Sequence, residues 1–209
     1  MSNFTLPDFY RIIIDGQQKQ MLKNIQEITD RVKQGDQEAF RALVETYQQY
    51  AYSLAFRILQ NEEEARDAVQ ESFIKIWTKI CDFRSSQKFT TWMYRIVTNS
   101  ALDRLRALKR RGQVGLDQIP EMLVRSNTLR PDSQLDNKEI AHVIRILAGK
   151  LSEKQQLVFI LRDIEGQTSE EVEQILDLTA NMVKSNLYHA RNAIREKLLT
   201  LSAIERRTI

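Results

Sequence analysis

Apolar positions recur along this chain at helical spacing, three or four residues apart. After Asp36 they form one stripe through Ala39, Phe40, Leu43, Val44, Tyr47, Leu54, Ala55 and Ile58, which predicts a first long helix. A second helix is expected after Asn61, whose side chain can cap it, with Glu62, Glu63 and Glu64 in the first turn where acids complement the helix dipole. Its stripe is Ala65, Val69, Phe73, Ile76, Trp77 and Ile80. A third spans about Thr90 to Lys109 and is apolar at Trp92, Met93, Ile96, Val97, Leu102 and Leu105. Periodicity then fails between Gly112 and Asp136, where two glycines, two prolines and the run "RSNTLRPDSQ" read as an extended linker. Helix resumes near Asn137. Two capping boxes follow, Ser152 with Gln155 and Thr168 with Glu171; the second opens a short helix ending near Leu176. A tight turn at Asp177 and Leu178 leads to Thr179, which caps a long helix with Val183, Leu187, Ala190, Ile194 and Leu198 on its apolar face. That order is a helix-turn-helix unit.

No stretch shows the two-residue alternation of a half-buried strand, so the fold class expected is all-α. Two small helical domains, 25–111 and 137–209, are joined by the extended linker 112–136. Residues 1–24 offer one short apolar patch, Ile12 to Ile14, and read as an N-terminal arm.

Composition narrows the function. With 209 residues and a 42% hydrophobic share, the chain can bury two modest cores. No apolar run reaches the roughly 18 residues of a membrane span, and no basic segment leads into an apolar leader; the expectation is a cytoplasmic protein without membrane insertion. Cys81 is the single cysteine, and His142 and His189 stand far apart, so no disulfide, metal site or cofactor is expected. No nucleophile–base pair or phosphate loop is present in the sequence pattern, which disfavours an enzyme. The net charge of +3 matters less than its distribution. Five cations and no acid lie between Arg104 and Arg111, whereas Glu62 to Glu71 holds five acids and one arginine. Surfaces of opposite sign call for different partners.

The stretches "EARDAVQESFIKIWTKICDFRSSQKFTTWMYRIVTNSALDRLR" and "LSEKQQLVFILRDIEGQTSEEVEQILDLTANMVKSNLYHARNAIREKL" resemble, in this order, the sigma-2 and sigma-4 domains of bacterial extracytoplasmic-function (ECF) sigma factors of the sigma-70 family. The resemblance covers roughly residues 36 to 200. It implies an alternative sigma factor with a sigma-2-like bundle and a sigma-4-like helix-turn-helix, which binds core RNA polymerase and directs it to promoter DNA. An anti-sigma factor is a further partner the family commonly has. In "DAVQESFIKIW" the resemblance makes Asp67, Gln70, Glu71 and Lys75 candidates for core-polymerase binding; the competing reading is a solvated helix face, with Phe73 and Trp77 in the core. The loop "DFRSSQKF" and the helix after it match the element that captures a flipped base of the −10 region. Capture of that kind needs a π surface, hydrogen-bond donors and cations. Phe83, Arg84, Ser85, Ser86, Gln87 and Lys88 supply them, with Asn99 at the family's base-contacting asparagine position and Arg95 and Thr98 on its flank. Under the alternative reading Phe83, Phe89 and Trp92 are core residues; Tyr94 stays undecided.

The run "RLRALKRR" provides Arg104, Arg106, Lys109, Arg110 and Arg111 for the DNA backbone, with helix-dipole compensation as the competing explanation. In the second domain the helix opened by Thr179 is expected in a −35 major groove. Thr179, Asn181, Lys184, Ser185 and Tyr188 are its candidate contacts, and Arg191 and Arg195 are placed nearer the backbone. Four residues depart from the family's pattern. Glu173 stands where a small residue is usual, Asp177 where glycine is usual, and Asn186 and His189 where arginine is frequent. Two other classes remain open to the sequence alone: a dimeric helix-turn-helix regulator, and a helical interaction module whose basic clusters merely face water.

Overall fold

The computed structural model describes residues 25–112 and 137–205, with no strand among them. The expected arm 1–24, the expected linker beyond Gly112 and the last residues 206–209 lie outside the described residues. A short helix, α1 (25–33), ends at Gly35, whose φ of +86° lets the chain reverse into the next element. Asp36 then opens α2 (Gln37–Leu59), as the sequence predicts: its carboxylate accepts from the amides of Glu38 and Ala39 at 3.0 Å each and from Arg31 Nε at 2.8 Å. The Ala39 amide, followed by Arg31, holds the carboxyl below its ordinary pKa.

Asn61 caps α3 (Glu62–Lys79) by accepting from the Glu64 amide at 3.1 Å. A single 3₁₀ turn, Ile80–Asp82, leads through a loop to α4 (Phe89–Arg110). The three long helices pack on one another with Leu43, Leu54, Ile76, Met93 and Val97 inaccessible to water.

The second half contains α5 (Asn137–Gly149), α6 (Glu153–Phe159), α7 (Ser169–Leu176) and α8 (Ala180–Glu205). Gln155 Oε1 accepts from the Ser152 amide at 3.3 Å, and Thr168 and Glu171 exchange hydrogen bonds of 3.2 and 2.8 Å, so both expected boxes form. Helix α6 widens into a π-turn over Ile160–Ile164, closed by the Glu165 amide donating to the Ile160 carbonyl at 2.8 Å.

The two halves are docked together. Leu157, Val158, Ile160 and Leu161, with Val172, Ile175 and Val183, join the same buried cluster as the first three helices. A smaller cluster, Leu147, Ala148, Phe159, Ala190 and Ile194, seals α5 and α8. Polar ties close the seam. Glu165, at the end of the π-turn, pairs with Arg57 of α2 and accepts from the Tyr94 hydroxyl of α4 at 3.1 Å. Gln156 Nε2 donates to the Ile58 carbonyl at 3.4 Å, and Gln60 Nε2 to the Arg145 carbonyl at 2.9 Å. Gly149 is what admits Gln60: a Cβ there would stand 2.6 Å from Gln60 Nε2. Tyr94, undecided in the sequence, is therefore a seam residue, and burial raises its pKa.

Because the Glu165 carboxylate is almost fully covered while holding a cation and a phenol from the other half, Glu165→Gln should cost about 2 kcal/mol of stability. It should also loosen the seam. Thermal melting and the radius of gyration from small-angle scattering check both effects; the radius should increase.

Candidate polymerase and nucleic-acid interfaces

On α3, Asp67 and Gln70 are exposed, and Glu71 and Lys75 half-buried, all along one flank of the helix. Lys75 Nζ lies 2.6 Å from Glu71 and donates to the Ser100 hydroxyl of α4 at 3.0 Å. Beside this flank runs a groove of about 950 Å³ between α2 and α3. Phe40, Val44, Tyr52, Val69 and Trp77 line it, with Arg66 and Gln70 at its edge. Phe73 is buried, as expected, and Trp77 packs edge-on against Phe40 with centroids 4.8 Å apart. Ile74, 59% exposed, sits among the lining residues. Sequence reasoning missed this apolar component, although an isoleucine off the α3 stripe was the available signal.

Between α3 and α4, Arg84, Ser85, Ser86 and Lys88 are exposed and Gln87 half-buried in a tight turn where the Gln87 amide donates to the Arg84 carbonyl at 3.1 Å. Asn99 and Arg95 are exposed four residues apart on α4, hence on one face. Two members of the expected −10 set are buried in this structure. Phe83 is only 5% exposed, packed against Phe89 and Trp92 at 5.5 and 5.4 Å, with the Lys33 ammonium 5.7 Å from its ring. It offers no open face for stacking a base in this arrangement; Phe89 is buried beside it, and Trp92 is half-buried against both rings. Thr98 is wholly buried, its hydroxyl without a hydrogen-bond partner, so it supports the helix from within.

The basic run divides. Lys109, Arg110 and Arg111 are exposed at the end of α4, whereas Arg104 is engaged by Glu64 and Asp67 at 2.7 and 2.6 Å. Arg106 reaches across the seam to Glu153 at 2.6 Å, and Lys88 reaches Glu171 at 2.7 Å. Protein carboxylates thus occupy three of the expected DNA-facing cations.

In the helix-turn-helix, Asp177 adopts φ 54°, ψ 50°, the left-handed conformation that glycine usually takes, and its amide donates to the Glu173 carbonyl. Glu173 lines a crevice of about 360 Å³ with Gln87, Thr91, Trp92 and Arg95, which accommodates a side chain larger than usual. Thr179 Oγ1 accepts from the Met182 amide at 3.4 Å. Beyond it Asn181, Lys184, Ser185, Arg195 and the 64%-exposed Tyr188 face outward, while Val183 is buried. Arg191 is held by both oxygens of Asp163, at 2.8 and 2.6 Å. Asn186 donates back to the Met182 carbonyl at 2.8 Å, and His189 meets the edge of the Tyr188 ring. Neither replaces the arginine frequent at its position with another cation.

A bundle with an acidic flank and an exposed asparagine-bearing helix, followed by a helix-turn-helix, is the architecture of a bipartite promoter-recognition factor. Family models agree: Sigma-70 region 2 matches residues 43–111 and Sigma-70 region 4 matches residues 141–194. The chain belongs to the ECF sigma factors of the sigma-70 family. It is 32% identical to the ECF RNA polymerase sigma factor SigW of Bacillus subtilis over 82% of this chain and 95% of that protein. It is likewise 32% identical to the ECF RNA polymerase sigma-E factor of Haemophilus influenzae, over 84% and 96%. Among solved structures, CnrH in complex with the cytosolic domain of CnrY shares the fold with a TM-score of 0.60 at 22% identity, covering 86% of this chain and 98% of that one. The sigma factor RpoE of Bartonella quintana, in complex with the anti-sigma factor NepR, gives 0.59 at 21%, over 76% and 96%. As members of this family do, the protein acts as a non-catalytic initiation factor of RNA polymerase. Among the described residues there is no metal-binding cluster and no helix long and apolar enough to cross a membrane.

Two outcomes follow from this geometry. Asp177→Gly removes a side chain from a left-handed backbone position and should raise stability by up to about 1 kcal/mol, read as a higher melting temperature. Lys184→Ala should weaken promoter binding by the polymerase holoenzyme and lower the steepness of its salt dependence by about 0.9 logarithmic units, the share of one phosphate contact.

Proposed function

We propose that this sigma factor docks on core polymerase through the α3 flank of Asp67, Gln70, Glu71 and Lys75 together with the apolar groove beside it, and reads promoters with two separate surfaces. The observation that carries the reading is the pairing of exposed Asn99 and Arg95 on one face of α4 with the exposed loop 84–88 immediately before it. An unstacked −10 base presents a polar edge and a phosphate; the Asn99 amide can donate to and accept from the edge, and Arg84, Arg95 and Lys88 can answer the charge. With Phe83 committed to the core, hydrogen bonding and charge replace stacking as the main source of hold. Holding a melted strand this way contributes a few kcal/mol at most, so polymerase supplies the rest of the melting free energy. Lys109, Arg110 and Arg111 serve the adjacent backbone.

The second surface is the start of α8. Asn181, Lys184, Ser185 and Tyr188 enter a −35 major groove, with Arg195 further along beside the backbone. Lys88, Arg106 and Arg191 reach phosphate only by giving up the carboxylates that hold them now. The protein works in the cytoplasm. An anti-sigma factor, the partner of the Bartonella quintana RpoE structure, is proposed as its regulator.

Run-off transcription with core polymerase on a promoter library, with and without this protein, tests the assignment; protein-dependent transcripts are expected, and their absence with well-folded protein would count against it. Asn99→Ala should impair open-complex formation and leave core binding intact. Loss of core binding in that variant would move the docking surface onto α4.

A further inference from the structure

We infer that Arg104 is a positioning residue for the polymerase-docking flank of α3 and not a DNA-backbone contact, an inference that rests on the reading of that flank given above. Its place in the run 104–111 groups it with phosphate-binding cations, yet its guanidinium lies across α3. Nε donates to Glu64 Oε2 at 2.7 Å, Nη2 to Asp67 Oδ2 at 2.6 Å, and Nη1 stands 4.0 Å from Glu71 Oε2. Glu64, Asp67 and Glu71 are spaced three and four residues apart and so form one ridge of like charges that repel. A planar fork set against that ridge answers three carboxylates at once; an ammonium on a flexible stem has no such geometry.

A second rung supports the first. Lys75 bridges Glu71 to the hydroxyl of Ser100, which is fully buried one turn before Arg104 on α4. The acidic ridge is therefore braced from α4 at two levels. Exposure completes the case: the Arg104 side chain is 27% exposed, against 53% for Asp67 and 43% for Glu71. Glu64, at 24%, is covered as much as the arginine, so a partner approaching from solvent meets Asp67 and Glu71, in fixed positions, before Arg104. Turning Arg104 outward to a phosphate would strip Glu64 and Asp67 of their cation and restore the repulsion along the ridge.

The test uses the full chain with Arg104→Gln, Arg104→Lys and Asp67→Asn, singly and combined. It measures affinity for core polymerase, and the salt dependence of promoter binding by the reconstituted holoenzyme. Arg104→Gln should weaken core binding roughly tenfold, with Arg104→Lys intermediate, and should add little in the Asp67→Asn background because both act on one interaction. The salt slope should stay unchanged. A slope reduced by about 0.7 to 0.9 with core affinity intact would make Arg104 a phosphate contact and overturn the inference. So would a loss of core affinity that is undiminished when Asp67 is already asparagine. If Asp67→Asn leaves core affinity unchanged, the docking flank itself is misplaced; if it weakens binding while Arg104→Gln does not, the role of Arg104 alone fails. Should Arg104→Gln not fold, Arg104→Lys carries the same cycle, since it keeps the cation and loses only the fork.

Discussion

Glu165 is a carboxylate almost sealed from water, and both groups that make its burial tolerable, Arg57 and Tyr94, come from the other half of the chain. A buried anion without partners would cost several kcal/mol, so the sequence after α6 is committed to one resting place on α2 and α4. The exposed ties around it, Lys88 with Glu171 and Arg106 with Glu153, contribute a few tenths to one kcal/mol each. The apolar seam of Leu157, Val158, Ile160 and Leu161 supplies most of the attraction, since each such side chain is worth about 1.5 to 3 kcal/mol when buried. Hydrophobic burial brings the halves together and Glu165 fixes how they meet.

That arrangement sets what is accessible. The start of α8 stays open to solvent, whereas the loop before α4 shares its cation Lys88 with α7. A single ammonium cannot hold a carboxylate and a phosphate tightly at the same time. The strand capture proposed for that loop and the docked seam therefore draw on the same charges, and their competition is strongest at low ionic strength, where surface pairs are least screened. The α3 flank lies outside this conflict, on the face braced by Arg104 and Lys75.

Helices and caps were legible in the sequence because their causes are local. Asp36, Asn61 and Thr168 each cap with their own side chains within three residues, and the apolar stripes of α2, α3 and α4 needed only a 3.6-residue period. The helix-turn-helix was legible for the same reason, including an Asp177 able to take the left-handed turn. What stayed hidden depends on residues distant in the chain. Tyr94 gave no local sign of its bond to Glu165, 71 residues away, and Arg104 looked like its basic neighbours until α3 was placed beside it. Phe83 and Thr98 stand at motif positions that suggest base contact, and only the tertiary packing shows that one lies under Lys33 and the other inside the bundle.

The π-turn at Ile160–Ile164 makes one short stretch of this chain tolerant of a change in length. It accommodates one residue more than an ordinary helical turn would at the same place, and because that residue is absorbed locally the chain leaves the turn in nearly the direction a shorter α turn would give it. Deleting a single residue inside the turn would therefore leave Glu165 close to Arg57 and Tyr94, whereas deleting one from the regular part of α6 would rotate everything after it by about 100°. A homologous sequence aligned to this one with a gap in the turn can thus keep the same seam between its halves, and one with a gap a few residues earlier cannot.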